Sequence, residues 1–227
     1  MVSKAASADG GQAWRLSRPL ELSPMLAGAL EVFYERGYHG ASVRDIARRV
    51  GVTVPALYYH YENKQAMLVT LLETGMGEVL DRAWQAAKDA IDDPEQRLAN
   101  LVEAIVLYMT DWVSVAYLDT ELRYLDPENR KRYAALRKQL EQLLTNTIEE
   151  GTENGVFAVS HPDDTTRALL GMCQAIATWY HPEGPHAPAE IAERYVEIAL
   201  NAVGARVPRK PTSGKRSTRS RRTDPVE

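Results

Sequence analysis

The sequence has 227 residues, but it holds only one cysteine and two phenylalanines. A single cysteine cannot form an internal disulfide, and Cys173, in the apolar stretch ALLGMCQAIA, is typical of a small buried side chain. No apolar run approaches the ~18 residues of a membrane span, and the first twenty residues lack the apolar segment of a secretion signal. These absences predict a cytoplasmic protein that has no membrane partner.

The motifs of several enzyme classes are also missing. There is no glycine-rich phosphate loop, no nucleophile elbow and no cluster with metal-ligand spacing. His181 and His186 lie in a stretch rich in Pro and Gly, where no Cys or acidic residue is spaced to complete a metal site, so a turn is the preferred interpretation. We therefore expect no catalytic residue, no metal and no cofactor, and an enzyme is the least favoured class.

Strand-like alternation is absent as well, whereas apolar residues recur at three- and four-residue spacing along almost the whole chain. This pattern predicts an all-α fold of about nine helices. The first helix begins at Ser23-Pro24 and ends at Gly37, the second begins at Ser42, and the short third begins at Thr53. The breaks at Pro and Gly place the later helices at 64–88, 94–115, 119–125, 127–153, 163–180 and 188–203.

The second and third helices, joined at Gly51, form a predicted helix-turn-helix, with the first helix as the third side of a small core. In such a unit the outer face of the third helix has no protein to pack against and suits DNA. Tyr58, Tyr59 and His60 crowd this face, and their polar tips can reach phosphates or base edges. The alternative is a plain helical hairpin in which these rings pack internally.

The segment from Ser23 to Leu68 closely resembles the DNA-binding region of the TetR family of bacterial transcriptional repressors. The resemblance is carried by ERGYHGASVRDIARRVGV, which ends at Val52, and by Leu57, Tyr58, His60, Tyr61, Lys64 and Leu68. It implies a ligand-responsive regulator, most simply a repressor, that binds near-palindromic double-stranded operator DNA as a homodimer. A ligand-independent regulator or an architectural DNA-binding protein is the alternative.

The resemblance also implies a set of DNA contacts, carried over position by position: Ser42, Arg44, Thr53, Val54, Pro55, Tyr58, Tyr59, His60 and Lys64. In this interpretation Val54, Pro55 and Tyr59 face the bases. Most of the others bind the sugar-phosphate backbone, and Arg44 reaches either. Arg15 and Arg18 precede the first helix and would reach a neighbouring minor groove or simply be solvated.

Four regions follow from these observations. Residues 1–22 form a flexible N-terminal arm, 23–68 the DNA-binding domain, 69–205 a helical ligand-binding and dimerisation domain, and 206–227 a disordered tail. The tail holds eight Lys and Arg residues against two acidic ones. It would add salt-sensitive attraction to DNA, or it would serve as a solubilising appendage.

The second domain is expected to dimerise through its last two helices, because both are apolar on more than one side. Rings and thioethers at helical spacing suggest a small-molecule cavity, although such rows are more often core. The ligand-binding candidates are Met76, Leu80, Trp84, Tyr108, Met109, Trp112 and Arg167.

The C-terminal stretch ATWYHPEGPHAPAEIAERY resembles a subset of actinobacterial TetR-like regulators, some of which respond to acyl-coenzyme A thioesters. The small-molecule effector would then be an acyl-CoA thioester. Its acyl chain would suit the aromatic cavity, and Arg167 or Arg130 would meet its phosphates.

Overall fold

The computed structural model describes residues 12–205, and every regular element within them is helical. A 3₁₀ turn at Ala13–Arg15 precedes the first α-helix, and a 3₁₀ helix at Leu118–Tyr124 follows the sixth. The α-helices are α1 (Pro24–Gly40), α2 (Val43–Val50), α3 (Val54–His60), α4 (Lys64–Lys88), α5 (Pro94–Asp111), α6 (Val113–Tyr117), α7 (Pro127–Glu153), α8 (Pro162–Trp179) and α9 (Pro188–Ala202).

Side-chain caps explain why the helices start where they do. The Ser23 hydroxyl accepts a hydrogen bond from the amide of Leu26, and Ser42 and Asp45 form a complete capping box at the start of α2. Gly51 ends α2 in left-handed backbone with φ of 78°, whereas Gly37, with φ of 68° and ψ of 162°, kinks α1 three residues before its end. The predicted all-α fold is confirmed, and α4 and α7 have the predicted bounds.

The helix predicted over 94–115 is wrong as a single element, because the chain bends at Trp112. This residue has φ of −125° and ψ of 47°, and the helical segments on its two sides are bent by 96° relative to each other. Residues 95–115 contain neither Gly nor Pro, so no local signal marks the bend. Tertiary contacts of the Trp112 ring stabilise it instead.

The expectation of a flexible arm fails for residues 12–22, which lie against the second domain. Trp14 is buried, and its indole N–H donates a hydrogen bond of 2.7 Å to Asp89. The Arg15 guanidinium donates to both carboxylate oxygens of Glu103, at 2.6 and 2.8 Å. Arg15 is therefore held away from a minor groove. Residues 1–11 and the predicted tail at 206–227 lie outside the described residues.

The core has two parts joined by α4. Phe33, Ile46 and Leu57, one from each of the first three helices, are fully buried and centre the small N-terminal unit. In the larger unit α5 is the central helix and packs against α4, α7, α8 and α9. None of the helices between residues 12 and 205 is by itself long and apolar enough to cross a membrane. Only the bent pair formed by α5 and residues 113–124 meets those criteria when taken jointly.

Two glycines on α4 provide a matched test of packing. A methyl group on Gly75 would lie 2.5 Å from the Tyr108 hydroxyl and 2.6 Å from a Val115 methyl, whereas one on Gly77 would meet no atom within 4 Å. We expect Gly75→Ala to lower the free energy of unfolding by about 1–3 kcal/mol through overpacking. Gly77→Ala should raise it by about 0.5–1 kcal/mol, because alanine is the better helix former. Urea denaturation of both variants measures this, and equal effects would contradict the close contact at Gly75.

Candidate functional site

The outer face of α3 presents polar-tipped rings to solvent. Leu57 is fully buried and fixes the helix on the N-terminal core, while Tyr58 is 50% exposed and Tyr59 is 87% exposed. His60 is exposed beside Tyr59, and the two rings meet edge to face with 5.2 Å between their centroids. In a plain helical hairpin these two tyrosine rings would be buried against the chain. Here they are exposed, so this face is available to a partner.

The start of α3 combines a cap with an exposed proline. The Thr53 hydroxyl accepts a hydrogen bond of 3.3 Å from the Ala56 amide, which commits one of its lone pairs to the helix end. Pro55 is exposed and Val54 is half-buried. The first turn of α3 therefore presents small apolar side chains, as contact with thymine methyl groups would require.

At the start of α2, the carboxylate of Asp45 occupies the N-terminal end of the helix. The Ser42 hydroxyl donates a hydrogen bond of 2.5 Å to Asp45, and the Ser42 amide donates to the same carboxylate at 3.2 Å. These two bonds, the hydroxyl bond above all, and the nearby charges of Arg36 and Arg48 lower the pKa of Asp45. A phosphate bound by Ser42 would therefore share the helix end with an ionised carboxylate. Arg44 is exposed and has no ion-pair or hydrogen-bond partner among residues 12–205.

Lys64 was predicted to contact DNA, but in the structure its ammonium group is bound to the chain itself. Its ammonium donates to the main-chain carbonyls of Tyr38 at 2.7 Å and Ala41 at 2.8 Å, and it lies 4.2 Å from the centroid of the Tyr38 ring. These bonds satisfy carbonyls at the end of α1. Two of its three N–H groups are used, so at most one remains for a phosphate.

The end of α1 also contacts the second domain through the 3₁₀ helix. The Tyr38 amide donates to the Glu121 carboxylate at 3.3 Å. The Tyr124 ring stacks on Tyr38 and on His39, with centroid distances of 5.7 and 5.0 Å. The 3₁₀ helix therefore joins the end of α1 directly to the second domain.

A small cavity lies directly behind this 3₁₀ helix in the second domain. It has a volume of about 20 Å³. The eleven residues that line it come from α4, α5, α6, the 3₁₀ helix, α7 and α8: Met76, Val79, Ile105, Tyr108, Met109, Ala116, Asp119, Tyr133, Leu140, Leu170 and Gln174. Met76, Leu140, Leu170 and Gln174 also border an outer cleft of about 230 Å³, in which Arg137 and Arg167 lie. Movement of those four shared side chains would join the two spaces.

The polar groups of the inner cavity are perturbed by burial. The Tyr133 hydroxyl donates a hydrogen bond of 2.5 Å to Asp119. Burial raises the pKa of Asp119, against the opposing effects of that hydrogen bond and of the charge of Arg137. Burial likewise raises the pKa of Tyr108 and of Tyr133, so both phenols stay neutral. The cavity is apolar except for this cluster and Gln174.

Apolar side chains are exposed along α8 and α9. Leu169, Cys173 and Ile176 of α8 face the core, whereas its opposite side is open to solvent. The exposed small or apolar residues on these two helices are Ala168, Gly171, Ala175, Trp179, Ala189, Ile198 and Ala202. Such a patch on two neighbouring helices is typical of an interface between protein subunits.

Comparison with known proteins decides the family. Residues 25–71 match the family model "Bacterial regulatory proteins, tetR family", and residues 91–203 match "Tetracyclin repressor-like, C-terminal domain". A solved structure of a regulatory protein in the tetR family from Rhodococcus RHA1 is 30% identical, covers 80% of this chain and 96% of its own, and has a TM-score of 0.74. The chain belongs to the TetR family.

Two further relatives place it within that family. The HTH-type transcriptional repressor KstR2 of Mycobacterium tuberculosis is 29% identical over 185 residues, which are 79% of this chain and 90% of the relative. AibR, solved in complex with isovaleryl coenzyme A and operator DNA, shares the fold at 24% identity, with a TM-score of 0.67 over 77% of this chain and 95% of that one. The TetR-family chain is thus a DNA-binding transcription regulator and not an enzyme, and its family binds operator DNA and forms dimers. Residues 12–205 contain no group of three or more side chains arranged to hold a metal ion.

The ligand-binding residues predicted for this TetR-family chain divide into two groups. Met76, Tyr108 and Met109 line the inner cavity, and Arg167 borders the outer cleft. The other three predicted residues line neither space: Leu80, Trp84 and Trp112. Leu80 and Trp84 share α4 with Met76, but helical spacing alone does not tell which side of a helix faces a cavity. Trp112 lies at the bend between α5 and α6.

Each of these three side chains has another environment. Trp84 is 46% exposed, so it is not a cavity residue in this structure. Leu80 is buried in the core. The Trp112 ring packs edge to face against Tyr108, and its N–H donates to the carbonyl of Arg18 at 3.0 Å.

Three residues that were not predicted from the sequence supply most of the polarity of the inner cavity: Asp119, Tyr133 and Gln174. They come from three elements far apart in the chain and share no spacing or motif. The only sequence signal for this polar cluster is the acidic residue Asp119 within a largely apolar stretch after Trp112, and that signal is weak.

Proposed function

We propose that this chain is a transcriptional repressor that binds a near-palindromic operator as a dimer and releases it when a small effector binds between α4, α5, α7 and α8. The observation that carries this proposal is the face of α3, where Leu57 is fully buried while Tyr59 is 87% exposed. Repression is supported by the relative KstR2, which is named a transcriptional repressor.

The division of labour on DNA follows from exposure and side-chain chemistry. Tyr59, with Pro55 and Val54 on the same helix, contacts bases in the major groove. Tyr58, His60 and the partly committed Thr53, Ser42 and Lys64 contact the backbone, which positions the helix without reading sequence. Arg44, which has no partner among residues 12–205, reaches a phosphate or a base edge.

Substituting Tyr59 tests the base contacts. Tyr59→Ala should weaken binding to a DNA site selected from a random pool by about 10- to 100-fold, because a lost base contact costs about 1–3 kcal/mol. Binding to unrelated DNA should change by less than about threefold, since the phosphate contacts that dominate it remain. Gel-shift titrations at fixed salt measure both affinities.

Tyr58→Phe is the matched control, because it removes one hydroxyl from the same helix. It should weaken specific and nonspecific binding by the same factor. Equal loss on both DNAs for Tyr59→Ala would show that Tyr59 touches only the backbone.

We further propose that the dimer forms through α8 and α9. One short recognition helix reads a half-site, so two copies are needed, with their recognition helices about 34–36 Å apart to enter successive major grooves. The exposed apolar residues of α8 and α9 would be covered by the same residues of a second copy in a four-helix, two-fold interface.

Two exposed isoleucines, one in the proposed interface and one outside it, provide a test of this dimer. Ile198 on α9 is 50% exposed and Ile91, between α4 and α5, is 63% exposed. Ile198→Glu should convert the dimer to a folded monomer and abolish binding to the full operator, because two buried carboxylates would face each other near the two-fold axis. Ile91→Glu should leave both unchanged. Light scattering after size exclusion measures the mass, and a dimeric Ile198→Glu variant would place the interface elsewhere.

For the effector, the more specific proposal is an acyl-CoA thioester. The inner cavity has largely apolar walls, and it would take an acyl chain once the side chains that it shares with the outer cleft move apart. AibR, which has this fold, was solved with such a thioester bound. Arg137 borders the outer cleft and also a second cleft with Arg123 and Arg130, so three guanidinium groups are available to phosphates. Arg130 is fixed by its bonds to the carbonyls of Arg123 and Leu125, whereas Arg167 is paired with the Asp164 carboxylate.

Release of DNA tests this effector class. A medium-chain acyl-CoA should lower operator affinity at least about tenfold, which needs only ~1.4 kcal/mol of coupling, whereas free coenzyme A should not. Arg137→Ala should raise the thioester concentration needed without changing operator affinity in its absence. Fluorescence anisotropy of a labelled operator follows both. Full operator binding at saturating thioester would favour a different effector or a ligand-independent regulator.

A further inference from the structure

The inner cavity of the second domain has one polar end, and the only charge that its lining can carry there is negative. Among its eleven lining residues, Asp119 is the single side chain that can carry a full charge. One of its oxygens, Oδ1, accepts the Tyr133 hydroxyl at 2.5 Å, and the other has no hydrogen-bond partner among residues 12–205. The arginines of the site all lie outside, at the two clefts.

Two uncharged polar groups share this cavity with Asp119. The Tyr108 hydroxyl and the Gln174 amide both line it, and neither has a hydrogen-bond partner within residues 12–205. Apart from Tyr133, whose hydroxyl is bonded to Asp119, the remaining wall is aliphatic or thioether. Asp119, Tyr108 and Gln174 thus place spare hydrogen-bonding capacity around one largely apolar space, where it is available to a guest.

We propose that Asp119 is a specificity-determining residue, which accepts a hydrogen bond from a hydroxyl or other uncharged donor at the inner end of the effector and excludes a carboxylate from that end. This inference rests on the proposed function, because it assigns chemistry to the same effector site. An effector with an apolar body then enters with its donor group innermost. Any anionic group it carries stays at the arginines of the outer clefts.

The physical reason is the low polarity of the site. A carboxylate brought within about 4 Å of Asp119 in this environment would suffer strong like-charge repulsion, whereas an alcohol would gain a charge-assisted hydrogen bond. A site built to bond a hydroxyl also discriminates against an analogue that lacks it, because its own polar group would be left unpaired.

The burial of Asp119 supports a role in binding over one in folding. Because its pKa is raised in the folded chain, the ionised form opposes folding above the pKa of the unfolded state, and its contribution to stability is most favourable at low pH. A carboxylate that stabilises the fold has the opposite shift, with its pKa lowered in the folded chain. Asp119→Asn is therefore expected to fold at neutral pH.

Three probes of equal chain length test the proposal on the full-length protein at neutral pH: octan-1-ol as a donor, methyl octyl ether without a donor, and octanoate as an anion. Calorimetric titration should give the order of affinity alcohol, ether, octanoate, with the alcohol favoured over octanoate by at least about tenfold. In Asp119→Asn this ratio should fall at least about tenfold, mainly because octanoate improves.

Glu141→Gln is the control, since Glu141 borders only the outer cleft, and the order of the three probes should not change. Octanoate binding to the wild-type chain as tightly as the alcohol, no saturable binding of the alcohol, or an unchanged ratio in Asp119→Asn would each overturn the proposal. If Asp119→Asn does not fold, the order measured with the wild-type chain decides. Because binding is measured without DNA, a correct order together with an operator that is never released would refute the proposed regulation and leave the role of Asp119 standing.

Discussion

The buried guanidinium of Arg82 on α4 fixes the arrangement on which the rest of the second domain depends. It donates to the carboxylate of Asp111, the last residue of α5, at 2.8 Å and to the carbonyl of Leu16 at 3.3 Å. It also lies 5.3 Å from the centroid of the Trp112 ring, at the bend. One side chain thus joins α4, the end of α5, the bend and the segment before α1. Both charges are almost fully buried, so loss of either partner would leave an uncompensated charge in the core.

The bend held by Arg82 determines where the 3₁₀ helix runs. After Trp112 the chain turns by 96° and passes between the cavity and the end of α1. A straight continuation of α5 would carry Asp119 and Glu121 away from both. The bend therefore creates the cavity wall and the contact between the domains at the same time, and neither can be altered without the other.

Much of this architecture is encoded locally and could be predicted. Ser42 with Asp45, Gly51 and Thr53 specify the helix-turn-helix within a dozen residues, because caps and left-handed glycines act on their immediate neighbours. The outward position of Tyr59 follows once Leu57 is placed in the core. Family resemblance gave the same answer for the DNA-binding domain, where sequence and geometry are most closely tied.

What could not be predicted depends on contacts between distant residues. The bend at Trp112 has no Gly or Pro, and the docking of residues 12–22 depends on partners such as Asp89 and Glu103, more than seventy positions away. The carbonyls that hold Lys64 belong to α1, and so its predicted role at DNA is shared with a structural one. The polar end of the cavity is assembled from three elements, and no pattern within any one of them announces it.

The spacing of the two acidic residues on the 3₁₀ helix connects the effector site with the DNA-binding unit. With about three residues per turn, positions two apart lie on well-separated sides of such a helix. Asp119 accordingly lines the cavity, while Glu121 is buried on the other side and holds the Tyr38 amide. Under the proposed mechanism, a guest that bonds Asp119 would displace the seven-residue 3₁₀ helix, and Glu121 would move with it. Because Tyr38 also binds Lys64 at the start of α4 through its carbonyl and its ring, such a displacement would reach both helices that orient α3. The coupling needs no long chain of side chains, since one short helix contacts both sites.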